Sequence, residues 1–333
     1  MRDLFSTPLF DSRRVRRGLR RLLLLPLLPA LAGCGSQVLT QAKHQAQAQQ
    51  TLAEASRYAQ VDADDKQARQ WVDRAVALTP NDPAVYFGTA LPGDTGTALE
   101  FDVAQVFSEV GDDPALADYM AQATQKFPDD YRGYQILGDA QGRLGRESER
   151  RATAAKLVAV LSKRLQAPGV TGIPELTAAL AQARIDSGDQ AGGFADYQKA
   201  VQAYPTLPLP ANNLAYAYAV ANTSLPQALT LAQSALALAR KQGQSDEETA
   251  TFLDTLGWVQ YRMGKYADAQ QNIQEAAAAL PRLPEVRYHL GMVYIAEGKT
   301  DAARAELGHA VLLSSSYAAA KQALGRLPKP APS

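Results

Sequence analysis

The chain has 333 residues, with 34 Lys and Arg against 34 Asp and Glu, 46% hydrophobic and 20% charged. That composition excludes a disordered tail and a membrane-embedded bundle, and the even charge argues against a general nucleic-acid binder. The single cysteine, Cys34, excludes an intramolecular disulfide and a Cys-based zinc site, and His44, His289 and His309 are too scattered for most His-rich metal sites.

The even charge hides an asymmetry. Residues 1–33 hold seven Arg and only Asp3 and Asp11, which leaves 27 basic and 32 acidic residues beyond them, a net of −5. The positive block is SRRVRRGLRR over 12–21, followed by the apolar run Leu22 to Ala32. Eleven apolar residues are too few for a spanning helix, which needs about 20. They fit the apolar core of a secretory signal. The run ends in Leu31-Ala32-Gly33-Cys34 and so resembles a bacterial lipoprotein signal, with 1–33 as signal peptide. The resemblance implies that the Cys34 thiol takes a diacylglycerol and that the mature chain is tied to a membrane. Gly35-Ser36 follows the cysteine where an Asp would signal inner-membrane retention, so the resemblance implies the periplasmic face of the outer membrane in a Gram-negative host. Residues 34–48, rich in Gln and Ala, read as a flexible tether averaging about 20 Å and reaching about 50 Å at full extension.

Beyond the tether the sequence repeats. Ala75 and Pro80, Ala123 and Pro128, Ala200 and Pro205, Ala276 and Pro281 recur at one spacing. In 250–283, Leu256-Gly257 is followed by Gly264, Tyr266, Ala269, Ala276 and Pro281. The next unit, 284–317, carries Leu290-Gly291, Tyr294, Gly298, Ala303 and Ala310. This grammar resembles the tetratricopeptide repeat (TPR), a helix–turn–helix of about 34 residues with small residues where its helices touch. The expected fold is an all-α TPR superhelical solenoid of about seven repeats: 49–82, 97–130, 131–164, 174–207, 208–249, 250–283 and 284–317. A capping helix over 318–327 covers the last apolar face, and 328–333 is expected as a disordered tail. Insertions interrupt the period at 83–96 and 165–173. In 131–164, Arg150 stands at a small-residue position, and 208–249 is extended around Lys241–Glu248. The logic is that one helix pair cannot bury its apolar stripe alone, whereas stacked pairs bury a continuous core.

No phosphate loop, His-Glu-x-x-His or Gly-x-Ser-x-Gly elbow is present. His289 and His309 share one repeat and read as surface or groove residues rather than a catalytic pair. Asp64-Asp65, Asp112-Asp113 and Asp129-Asp130 fall at helix starts and are expected to cap free backbone N–H groups. The chain therefore reads as a non-catalytic binding protein without cofactor or metal.

The resemblance implies a concave groove lined by the first helix of each repeat, at repeat positions 2, 5, 6, 9, 12 and 13. In the last three repeats these positions hold Asn212, Asn213, Tyr216, Asp254, Trp258, Tyr261, Arg262, Tyr288 and His289. In the first four they hold mostly small or Gln-type residues, with Glu54, Arg57, Phe101, Asp102 and Arg143 as exceptions. Aromatic and amide groups beside Arg suit a protein or peptide segment, or a sugar chain, as partner. Within 208–313, Asn212-Asn213-Leu214-Ala215-Tyr216, Leu253 to Trp258 and Arg287-Tyr288-His289-Leu290 resemble a TPR module of bacterial lipoproteins and exopolysaccharide-export proteins. The resemblance implies a scaffold in envelope assembly or export; a pilotin-like role in pilus or secretin assembly is the alternative, with a periplasmic enzyme behind both.

Overall fold

The computed structural model describes residues 35–59, 65–87, 102–167 and 174–328. The Cys34 lipid site, the signal peptide, Phe101, Asp64, and the tail beyond Pro328 lie outside them. Every regular element among the described residues is a helix. They form two compact units, which divide between Ile136 and Leu137.

The first unit holds α1 (Gly35–Arg57), α2 (Asp65–Leu78), α3 (Pro83–Phe87), α4 (Val103–Val110), α5 (Asp113–Lys126) and the start of α6 (Tyr131–Arg143). Segment 34–48 is not the expected tether, because residues 35–48 are the front of α1. Ala and Gln are good helix formers, and the helix is nucleated where Ala48, Leu52 and Ala55 bury against α2 residues Ala68, Val72 and Ala75. Gln45 Nε2 also donates to Asp82, 2.7 Å away. The insertion at 83–96 opens with α3, whose Phe87 ring packs edge-on against Phe127 at 6.0 Å.

Acidic residues start several helices as N-caps. Asp112 accepts from Ala115 N–H at 3.0 Å, and Asp102, expected in the groove, instead caps α4 by accepting from Gln105 N–H at 2.8 Å. Glu54 and Arg57 pair with each other on the exposed side of α1, 2.9 Å apart.

The second unit holds the rest of α6, then α7 (Glu147–Leu165), α8 (Pro174–Ser187), α9 (Gln190–Ala203), α10 (Pro208–Ala221), α11 (Leu225–Lys241), α12 (Asp246–Arg262), α13 (Tyr266–Ala279), α14 (Pro284–Ala296), α15 (Thr300–Leu313) and α16 (Ala318–Arg326). Pairs turn on left-handed residues: Gly264 (φ 77) ends the α12 stretch, and in the α10–α11 turn Asn222 (φ 52) substitutes for glycine. The boundary expected at 249/250 falls inside α12. Ser245 and Glu248 form a reciprocal capping box that starts the helix at Asp246.

Small residues set the spacing within pairs. A Cβ on Gly257 would meet Ile273 Cγ1 at 2.4 Å, and one on Gly291 would meet Leu307 Cγ at 2.7 Å. In the α8–α9 pair the roles exchange: the first helix carries Ala181, and Gly193 on the second would meet the Ala181 carbonyl oxygen at 2.6 Å. First helices also pack on one another, α8 on α10, α10 on α12, α12 on α14 and α14 on α16, with second helices laid on the outside. The first helices therefore form the inner lining of this unit.

Candidate functional site

The inner lining brings the C-terminal candidate residues together. Trp258 of α12 stacks on Tyr261 at 4.7 Å and on the His289 ring of α14 at 4.2 Å. Tyr288 lies 6.3 Å from Trp258, and Tyr216 of α10 lies 6.1 Å from His289. His289 Nδ1 sits 2.9 and 3.0 Å from the two carboxylate oxygens of Asp254, a polar clasp between α12 and α14. His309 stands exposed on α15, so the two histidines of that repeat do not meet in a pair.

The expectation of an open groove needs correction. Asn212, Asn213, Tyr216, Asp254, Trp258, Tyr288 and His289 are buried, Trp258 to 1% exposure; Tyr261 and Arg262 are half-buried. The cause is contact between consecutive first helices. First helices in direct contact leave no width between them, and rings on consecutive repeats stack into the remaining space. The lining is thus a closed aromatic and polar seam with Tyr261 and Arg262 at its rim.

Three polar atoms in this seam have no hydrogen-bond partner: Asn212 Oδ1, Asn213 Oδ1 and Trp258 Nε1. Asn212 and Asn213 are 3% and 4% exposed. An unpaired buried polar group costs about 1–3 kcal/mol, and a ligand that pairs these atoms recovers that cost.

Further along the lining, the same register holds residues missed in the sequence. Asp139 and Asp186 occupy repeat positions 9 and 13 of their units, the positions read for Trp258 and Arg262, yet those units looked bare. Burial raises the Asp139 carboxyl to about 7, with Arg143 opposing and Asp186 adding to the rise. Asp186 carries a buried ion pair, 2.7 Å from Arg150 Nη1, and Arg150 also reaches Glu147 at 3.3 Å. Burial disfavours the Arg150 charge, but Asp186 and Glu147 outweigh it and hold the guanidinium charged. Arg150 therefore fills the small-residue position by pairing across to α8. Tyr317, which no repeat position flagged, is 2% exposed beside Tyr288, with ring centroids 5.5 Å apart.

Among the described residues no group of three or more His, Cys, Asp and Glu could hold a metal ion. Nor is any described helix long and apolar enough to cross a membrane.

Two family profiles match this half of the chain, both described as tetratricopeptide repeat, over residues 207–282 and 260–327. Residues 207–327 are tetratricopeptide repeats. The matched span contains every groove candidate of the last three repeats, and helix pairing continues before it in α7 to α9. Among solved structures the chain is similar to the yeast Tom70, at 13% identity and TM-score 0.49, over 86% of this chain and 54% of that one. It is similar to a chain of the APC/C hetero-tetramer Cut9–Hcn1, at 13% identity and TM-score 0.44, over 82% of this chain and 47% of that one. A thermophilic TPR protein of Thermus thermophilus, TTC0263, aligns at 21% identity and TM-score 0.44, over 54% of this chain and 96% of that one. The chain thus spans about half the length of the matched chain of the Cut9–Hcn1 complex and of Tom70. No curated protein matches it.

Proposed function

We propose that this chain is a non-catalytic scaffold that binds a segment of a protein partner along the inner lining of its C-terminal repeats. The observation that carries this reading is the set of unpaired atoms on Asn212, Asn213 and Trp258. An extended main chain offers N–H donors for the two Asn oxygens and a carbonyl acceptor for the indole N–H. Tyr261 and Arg262, half-buried at the rim, are the first groups such a segment meets. Asp254 does not meet an incoming carboxylate as a free charge, because it is committed to His289.

The same proposal includes the lipid anchor at Cys34 on the periplasmic face of the outer membrane, and a place in envelope assembly or exopolysaccharide export. The charged-then-apolar stretch ending in Leu31-Ala32-Gly33-Cys34 supports the anchor. Fatty-acid labelling in the native host tests it: Cys34→Ser abolishes the label, and persistent labelling refutes the anchor. For the binding face, Tyr261→Ala and Arg262→Ala lower crosslinked partner capture at unchanged thermal stability. Full capture by both variants, with loss in a variant of residues 49–164, moves the site to the N-terminal repeats.

A further inference from the structure

The C-terminal helix reaches the same lining from another direction. At the α6–α7 turn Gly145 (φ 71) lies so near α16 that a Cβ there would stand 3.2 Å from Ala318 Cβ. The second unit therefore meets its own beginning at α16. Tyr317, the residue before α16, puts its ring on Tyr288, and burial raises its hydroxyl well above the ordinary tyrosine range. Glu285, Tyr216 and Tyr288 add to that rise and Arg143 opposes it, so this phenol stands among groups from α6, α10 and α14.

The helix behind Tyr317 is a modest element. It has nine residues, no side-chain cap at its start, and only Ala320 and Ala323 buried. The segment is held on the unit by Tyr317, by the small residues after it, and by the half-buried Leu324 and Leu327 packed on the same core.

We propose that Tyr317 and α16 are an intramolecular occupant of the partner site, and that the partner seats a tyrosine followed by small residues in the same slot, displacing α16. This rests on the reading of the inner lining as the binding face. Tyrosine suits the slot because an aromatic wall, Tyr288, stands beside charged groups that a phenylalanine would leave facing carbon. Alanine at the next position brings its methyl close to the Gly145 backbone.

The test uses the full chain and a fluorescein-labelled synthetic peptide of residues 314–326, Ser-Ser-Ser-Tyr-Ala-Ala-Ala-Lys-Gln-Ala-Leu-Gly-Arg. Anisotropy titration gives binding to Tyr317→Ala at least about tenfold tighter than to the parent, whose slot is filled. The peptide with Ala for Tyr loses at least about tenfold in turn; each tenfold step is about 1.4 kcal/mol. Hydrogen exchange on the parent shows α16 amides opening at least about a hundredfold faster than those of α12.

A folded Tyr317→Ala chain that gains no peptide affinity overturns the proposal. Should that variant unfold, α16 amides as protected as those of α12 in the parent overturn it as well, making α16 a fixed cap. Parent chains that dimerise by exchanging α16 would make the occupant a second copy and overturn the partner assignment. The peptide titration needs no native partner, so it fails or succeeds independently of the capture experiment on Tyr261 and Arg262.

Discussion

One added methyl group at residue 257 probes the contact on which the repeat depends. A Cβ on Gly257 would lie 2.4 Å from Ile273 Cγ1 and 3.1 Å from the Ala269 carbonyl oxygen. Carbon atoms in contact prefer about 3.5–4.0 Å, so one side must yield by about 1 Å. Ile273 is wholly buried and the Ala269 oxygen is backbone, so the movement falls on the spacing of α12 and α13. Replacing Gly by Ala in a helix interior gains about 1 kcal/mol of propensity, while overpacking costs about 1–3 kcal/mol or more. Gly257→Ala is therefore neutral to destabilising by about 2 kcal/mol, and Gly257→Leu, with three more carbons at the same place, is worse. Gly138 supplies the control: it is helical, with nothing within 4 Å of its Cβ, so Gly138→Ala gains about 0.5–1 kcal/mol. Repeat arrays open locally, so the measurement is residue-resolved hydrogen exchange beside urea unfolding. Gly257→Ala lowers protection first in α12 to α15, and Gly138→Ala raises it near α6. If both alanines stabilise equally, or if Gly257→Leu drops protection uniformly along the chain, the close-packed repeat argument is wrong.

Three further outcomes follow from named contacts. Arg150→Ala leaves Asp186 buried without its guanidinium and costs about 3 kcal/mol or more, whereas Arg150→Met with Asp186→Leu is much closer to neutral in urea midpoint. The Asp139 carboxyl, near 7 in the folded chain against 3.8 as reference, holds a proton that the unfolded chain has released between those values. Its contribution to stability is thus largest at the acid end and is lost as pH rises through about 7; Asp139→Asn flattens that slope, by about 2 kcal/mol between pH 5.5 and 8, in melts compared with the parent. Ser245→Ala removes one half of the α12 capping box and costs about 1 kcal/mol, read as faster exchange in the first turn of α12.

The repeat grammar was legible because it is written in contacts between near neighbours. Gly257 needs Ile273, and Gly291 needs Leu307, each sixteen residues on, so spacing alone places the pair. The α8–α9 pair shows the grammar surviving an exchange of its letters, with Ala181 on the first helix and Gly193 on the second. Residues 34–48 misled because Gln and Ala bury little, yet they are also good helix formers, and an anchored helix extends into such a stretch at small cost. The 245/246 start of α12 was present as Ser245 and Glu248, but the fixed period of the neighbouring units outweighed that local signal.

Exposure was the property the sequence could not carry. The aromatic and amide residues of α10, α12 and α14 do converge, as Trp258, Tyr261, Tyr288 and His289 show. Whether they face solvent depends on the rotation from one repeat to the next, a sum of small angles that no single repeat encodes. With first helices in contact, the aromatic side chains are drawn into the interior, and Tyr317 arrives from the end of the chain to cover them. On the proposed reading, burial and binding are two states of one surface. Apolar rings favour closure, while the unpaired atoms of Asn212, Asn213 and Trp258 penalise it by about 1–3 kcal/mol each. On the proposed reading, a partner that pairs those atoms and replaces the phenol of Tyr317 shifts the balance, and differential affinity for the open lining is the one quantity that can do so.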